Sequence, residues 1–90
     1  MQFEWHRAKA TANLAKHGVS FEEASTVFRD QLSVTGADPD HSIGEERFFI
    51  FGMSTNGRLL AVAHTYYGDT IRIINARAVT PTERRIYEEG

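Results

Sequence analysis

Arg72 and Arg77 lie five residues apart in the stretch YYGDTIRIINAR, residues 66–77. A guanidinium presents a planar fork of donors that fits a phosphate or a carboxylate. The two therefore either grip an anionic ligand or pair with an acidic side chain of a neighbouring element. Arg84 and Arg85 follow, and across residues 70–87 these four arginines face Glu83 alone. A local basic patch is expected on a chain whose formal net charge is −2.

Histidine titrates near neutral pH and can act as acid or base. His17 and His64 are the candidates. The structural alternatives are a helix C-terminal residue favoured by the dipole for His17, and a half-buried strand residue bonded to a backbone carbonyl for His64. His6 and His41 fall in cap and loop positions and take no role. The histidines show no metal-ligand spacing and cysteine is absent, so neither a metal nor a cofactor is expected. Asp38, Asp40, Glu45 and Glu46 cluster in one segment, but not at the spacing of a calcium-binding EF-hand loop. They read as a solvated acidic loop.

A chain of 90 residues with 41% hydrophobic content sustains one core and one domain. The absence of cysteine fits a reducing compartment. The start, MQFEWHRAKA, has no apolar stretch of the kind a secretory signal needs. The longest aliphatic run, LLAVA, is far too short to span a bilayer. A cytoplasmic protein is expected, with no membrane partner. The charge is uneven: residues 1–30 sum to zero, 31–69 to −3 and 70–90 to +1. The overall balance excludes a strongly basic nucleic-acid module.

The elements that must position these groups follow from local signals. QFEW alternates and reads as a short first strand. RAKATANLAKHG reads as a helix stopped at Gly18, with Lys9, Asn13 and Lys16 on one stripe and Ala10 and Leu14 on another. VSFEEASTVF reads as a second helix, with Ser20 and Glu23 matching a capping box. A short edge strand precedes the acidic loop. RFFIFGMS, RLLAVAHTY and TIRIINAR then form strands joined by tight turns at Asn56–Gly57 and Gly68–Asp69. TPTERRIYEE closes as a helix, with Thr80 as cap, Pro81 in the first turn and Glu83 completing a second capping box. Trp5 is expected in the core. The order predicts an α+β fold: a short N-terminal strand, two helices, an antiparallel β-meander and a C-terminal helix, with the helices on one face of the sheet.

Strand alternation assigns faces. Leu60, Val62, His64 and Tyr66 share one side; Leu59, Ala61, Ala63 and Thr65 share the other. Both sides are fairly apolar, so the second is either packed or a binding face. In an unbroken last strand Arg72 and Arg77 point to opposite faces, and only a bulge or bend near the strand end would turn Arg77.

KHGVSFEEA (residues 16–24), GEERF (44–48), NGRLL (56–60) and IRIINARAVTPTERRIYEEG (71–90) together resemble BrnT, the toxin of a bacterial type II toxin–antitoxin pair and a compact relative of the RelE/ParE toxins. The resemblance runs along nearly the whole chain in the same order. It implies an α+β fold, a ribonuclease activity that stops translation, and a partner antitoxin with a ribbon-helix-helix domain in a toxin–antitoxin hetero-oligomer. The chain departs from the family pattern at His6, where Asp commonly caps the first helix. It departs again near the second turn, where Tyr67 and Thr70 stand in place of common basic residues, and at Asn75, commonly serine.

Metal-free RNA cleavage of the kind the resemblance implies needs a base for the ribose 2′-OH, an acid for the leaving 5′ oxygen and cations at the phosphate. Under that reading Arg72 and Arg77 hold phosphate, and His17 and His64 are the proton-transfer candidates. Lys9, Lys16, Tyr67, Arg84 and Tyr87 are expected along the RNA, with the tyrosines able to stack on bases. The bland alternatives are a solvated helix face for the lysines and a ring packed on the sheet for Tyr87. The alternative function is a catalytically weak module that chiefly binds its antitoxin and tunes its own operon, as the scarcity of cations around the second turn would suit.

Overall fold

The computed structural model describes every residue except Pro39, His41, Ser42 and Ile43. The expectation for His41 therefore lies outside the described residues. Among the described residues, eight helices and strands follow in order: β1 (Gln2–Glu4), α1 (Arg7–His17), α2 (Phe21–Thr26), β2 (Val34–Ala37), β3 (Phe48–Met53), β4 (Leu59–Tyr67), β5 (Thr70–Ala78) and α3 (Pro81–Glu89), with a 3-10 turn at Val27–Arg29 extending α2. The fold is α+β, as expected. The strands form one sheet in the order β1-β5-β4-β3-β2. β2 to β5 make the antiparallel meander. β1 pairs with β5 in parallel, so the sheet is mixed. The chain leaves β1 through the two helices and returns by the meander, the long crossover that a parallel pair requires.

The first helix ends where its sequence says. Gly18 adopts φ 69° and its N–H returns to the Leu14 carbonyl at 2.9 Å, a left-handed stop that glycine adopts without steric cost. At the other end His6 makes no side-chain cap. Ser20 caps α2 by accepting from the Glu23 N–H at 3.0 Å. The reciprocal half of the expected capping box is absent, because the Glu23 carboxylate bonds Ser54 and Arg58 instead. A nearly buried carboxylate gains more from a charged donor than from an exposed amide. At Thr80 both halves of the box form, at 2.9 and 3.2 Å.

The core lies between α2 with its flanks and one face of the sheet. Val19, Phe21, Ala24 and Val27 pack on Ile50, Leu60, Val62, Ile73 and Ala76, with Trp5, Phe3 and Phe28 partly buried against them. The 3-10 turn sits so close to β3 that a Cβ on Gly52 would stand 3.0 Å from the Val27 carbonyl oxygen. The β3–β4 turn is a three-residue loop rather than a two-residue one: the Ser54 carbonyl accepts from Gly57, which alone of the pair Asn56–Gly57 has positive φ. A type I turn followed by a left-handed glycine is the next commonest hairpin closure. Gly68–Asp69 does close a two-residue turn, with Gly68 at φ 58°.

The pairing of β4 with β5 slips between Ala63 and His64: Ala63 faces Asn75 and His64 faces Ile73, so Ile74 is an extra residue, a β-bulge. The bulge inverts the parity on either side of it. Ile71, Ile73 and Ala76 all point to the core, and Arg72, Asn75 and Arg77 share the opposite face with their partners Thr65, Ala63 and Ala61. The expectation of opposed arginines in an unbroken strand is thus corrected. The expectation of helices on one face holds for α1 and α2. α3 differs, being fastened to the second face through Glu83 and Arg77.

Candidate active site

The parallel strand β1 covers β5 only from Thr70 to Arg72. Beyond Arg72 the outer edge of β5 is open to α1. Asn13 fills it: its side-chain amide donates to the Ala76 carbonyl at 2.8 Å and accepts from the Ala76 N–H at 3.1 Å, as a neighbouring strand would, and it also donates to the Val19 carbonyl at 2.9 Å. Asn13 is buried as a result. The stripe Lys9–Asn13–Lys16 read from the sequence therefore borders the strand edge, with Asn13 buried in it and Lys9 and Lys16 exposed on either side.

Two grooves flank this strap. One, of about 420 Å³, is lined by Lys9, Lys16 and His17 from α1 and by Ile74, Asn75 and Arg77 from β5. The other, of about 240 Å³, is lined by Glu4, His6, Lys9 and Arg72 together with Ile73 and Ile74. They share Lys9 and the bulged Ile74 and form one track along the edge of β5. Arg72 sits at one end of it, and Arg77, Lys16 and His17 at the other. This arrangement can bind a chain of anionic groups by several cations at once.

Both arginines also hold carboxylates. Arg77 makes a two-point fork to Glu83, Nη1 to Oε1 at 2.7 Å and Nη2 to Oε2 at 2.9 Å, and its guanidinium lies 5.5 Å from the Phe49 ring centre. Arg72 bonds Glu4 through Nε at 2.8 Å and rests 4.6 Å from the centre of the Tyr67 ring. Tyr67 donates to the Glu45 carboxylate. That carboxylate, with burial assisting, pushes the phenol pKa up, so the hydroxyl keeps its proton.

Other expected residues lie elsewhere. His64 is fully buried on the core face, Nδ1 3.0 Å from the Val62 carbonyl oxygen, Nε2 3.2 Å from the Tyr66 hydroxyl and its ring 4.9 Å from that of Phe28. Burial holds its pKa below the usual imidazole range. It lines neither groove. Tyr87 donates to Asp30 at 2.6 Å. Arg84 is exposed on α3 and lines neither groove. Among the described residues no three His, Asp or Glu side chains converge as a metal site requires, and no helix is long and apolar enough to cross a membrane. Sequence reasoning missed Glu83 as the Arg77 partner, although the lone acid among four arginines was visible. It also missed Asn13 and Asn75 as walls of the track.

A sequence model described as the ribonuclease toxin BrnT of type II toxin–antitoxin systems matches residues 5–83. The chain belongs to the BrnT family. It is a ribonuclease toxin of a type II system, and this match supports that reading over one of a module acting only through antitoxin binding. The fold matches the 1.1 Å crystal structure of the Brucella abortus ribonuclease toxin BrnT, with a TM-score of 0.65 and 20% identity over 89% of this chain and 97% of that one. A search among curated proteins returned no match. As a BrnT-family toxin the chain has an antitoxin partner.

Proposed function

We propose that this toxin cleaves single-stranded RNA in the track along β5, by attack of a ribose 2′-OH on the adjacent phosphorus and departure of the 5′ oxygen. Arg72 and Arg77 bind separate phosphates of one RNA strand, and the fork of Arg77 stabilises the charge that builds on the one being cleaved. Lys9 and Lys16 hold the backbone from the α1 side. His17, exposed in the last turn of α1 and lining the same groove as Arg77, takes the proton from the 2′-OH and gives it to the departing 5′ oxygen. Tyr67, 44% exposed, offers a ring on which a base can stack, beside the Arg72 that holds its phosphate. Arg84 extends the positive field beyond the track. His64 and Tyr87 are left to packing and anchoring.

The observation that carries this reading is the bulge at Ile74, which turns both arginines to one face at the edge where α1 presents its lysines. The partner we assign is a ribbon-helix-helix antitoxin in a toxin–antitoxin hetero-oligomer, and the place of action is the cytoplasm. The test is incubation with single-stranded RNA in EDTA, followed by end-group analysis. The expected products carry a 2′,3′-cyclic phosphate and a 5′-hydroxyl, and a single 2′-deoxy substitution at the cut site blocks cleavage there. Cleavage that survives the 2′-deoxy substitution would contradict the mechanism.

A further inference from the structure

We infer that Glu83 sets how tightly the toxin holds RNA, by occupying the Arg77 fork in place of a phosphate. This rests on the reading of Arg77 as a phosphate ligand. The two parallel bonds of 2.7 and 2.9 Å use the face of the guanidinium that a phosphate would use. A phosphate that takes this Nη1–Nη2 end of the guanidinium must displace Glu83. The pair is partly withdrawn from solvent, with side-chain exposures of 30% and 17%, whereas the Arg72–Glu4 pair is open at 46% and 43%. Screening weakens the second far more than the first, so the competition that matters lies at Arg77.

The helix carrying Glu83 is built to let go. α3 has no buried residue. Its described polar ties to the rest of the molecule are the Arg77 fork and the Tyr87–Asp30 bond at 2.6 Å. Moving it off Arg77 leaves the core formed by α2 and the sheet untouched. Glu23 and Arg58 form the contrasting case. That carboxylate is buried, bonded by Ser54 as well as Arg58, and lies in neither groove.

Substitution can separate the two duties of Glu83. Glutamine at the third helical position still completes a capping box, so Glu83→Gln keeps the start of α3 while removing the charge that competes for Arg77. The experiment measures Kd for a 2′-O-methyl single-stranded RNA, which binds but cannot be cut. It compares wild type, Glu83→Gln, Arg77→Ala and the double variant, with thermal unfolding confirming that each is folded.

Glu83→Gln is expected to bind about fivefold tighter, the equivalent of losing one partly screened ion pair from the free protein. The double variant is expected to bind no tighter than Arg77→Ala alone, since the gain runs through that guanidinium. If Glu83→Gln binds equally or more weakly while Arg77→Ala is impaired, Glu83 only orients the arginine, and the inference falls while the site stands. A gain that persists without Arg77 also overturns it. If Arg77→Ala binds as wild type, the site itself is misplaced.

Discussion

Glu23 joins three parts of the chain. Its carboxylate accepts from the Arg58 Nε at 2.9 Å and from the Ser54 hydroxyl at 2.7 Å, while Arg58 also donates to the Gly18 carbonyl at 3.0 Å, where α1 ends. Arg58 beside it, against the opposing effect of burial, lowers its pKa from 4.5 to about 2. The unfolded chain binds this proton more readily than the folded one, so the stabilisation is fully present above about pH 4.5 and is lost as pH falls through about 2. Urea unfolding across that range is expected to show a midpoint that declines with acidification. Glu23→Gln should flatten this component and lower the midpoint at neutral pH, because Arg58 then loses its charged partner. A wild-type midpoint equally steep in Glu23→Gln would show that other carboxylates govern acid stability. Ser20 and Glu23 were legible as a helix start, yet the destination of the carboxylate was not. It depends on a loop more than thirty residues further on.

At the scale of elements the junction of α1 with β5 shapes the track, and Asn13 makes it. Its amide satisfies both backbone groups of Ala76 and the Val19 carbonyl. Asn13→Leu would leave buried donors and acceptors without partners, a cost of about 3 kcal/mol in unfolding free energy, measurable by denaturant titration. A loss below about 0.5 kcal/mol would mean that water replaces the amide at no cost. Much of this layer could be read in advance. Gly18, the Thr80–Glu83 box and the Gly68–Asp69 turn declare themselves through neighbouring residues alone. The parallel seat of β1, the bulge at Ile74 and the placement of α3 arise from pairing between distant segments, which alternation within one strand does not encode. The face of Arg77 could be stated only once the register of β4 against β5 was known.

On the whole molecule, a formal charge of −2 coexists with a local group of cations. Four cationic side chains border the track along β5: Lys9 and Lys16 from α1, with Arg72 and Arg77. The acidic segment leads into β3, and its Glu45 accepts from Tyr67, whose ring carries Arg72 at one end of the track. The residues that border the track could be named by type: the arginines, lysines and His17 stood out by chemistry. Their assembly could not be read in that way, because the edge that unites them is created by the shortness of β1. His64 shows the converse, a residue suited to catalysis by type and withdrawn into the core by its strand face.

The direct test is cleavage of single-stranded RNA in EDTA by wild type and by Arg77→Ala, both verified as folded and compared at equal concentration. The track along β5 predicts cutting by the wild type and a loss of about a hundredfold or more in Arg77→Ala, as removal of one transition-state donor produces. Arg77→Ala cutting at the wild-type rate would place the active site elsewhere on the molecule.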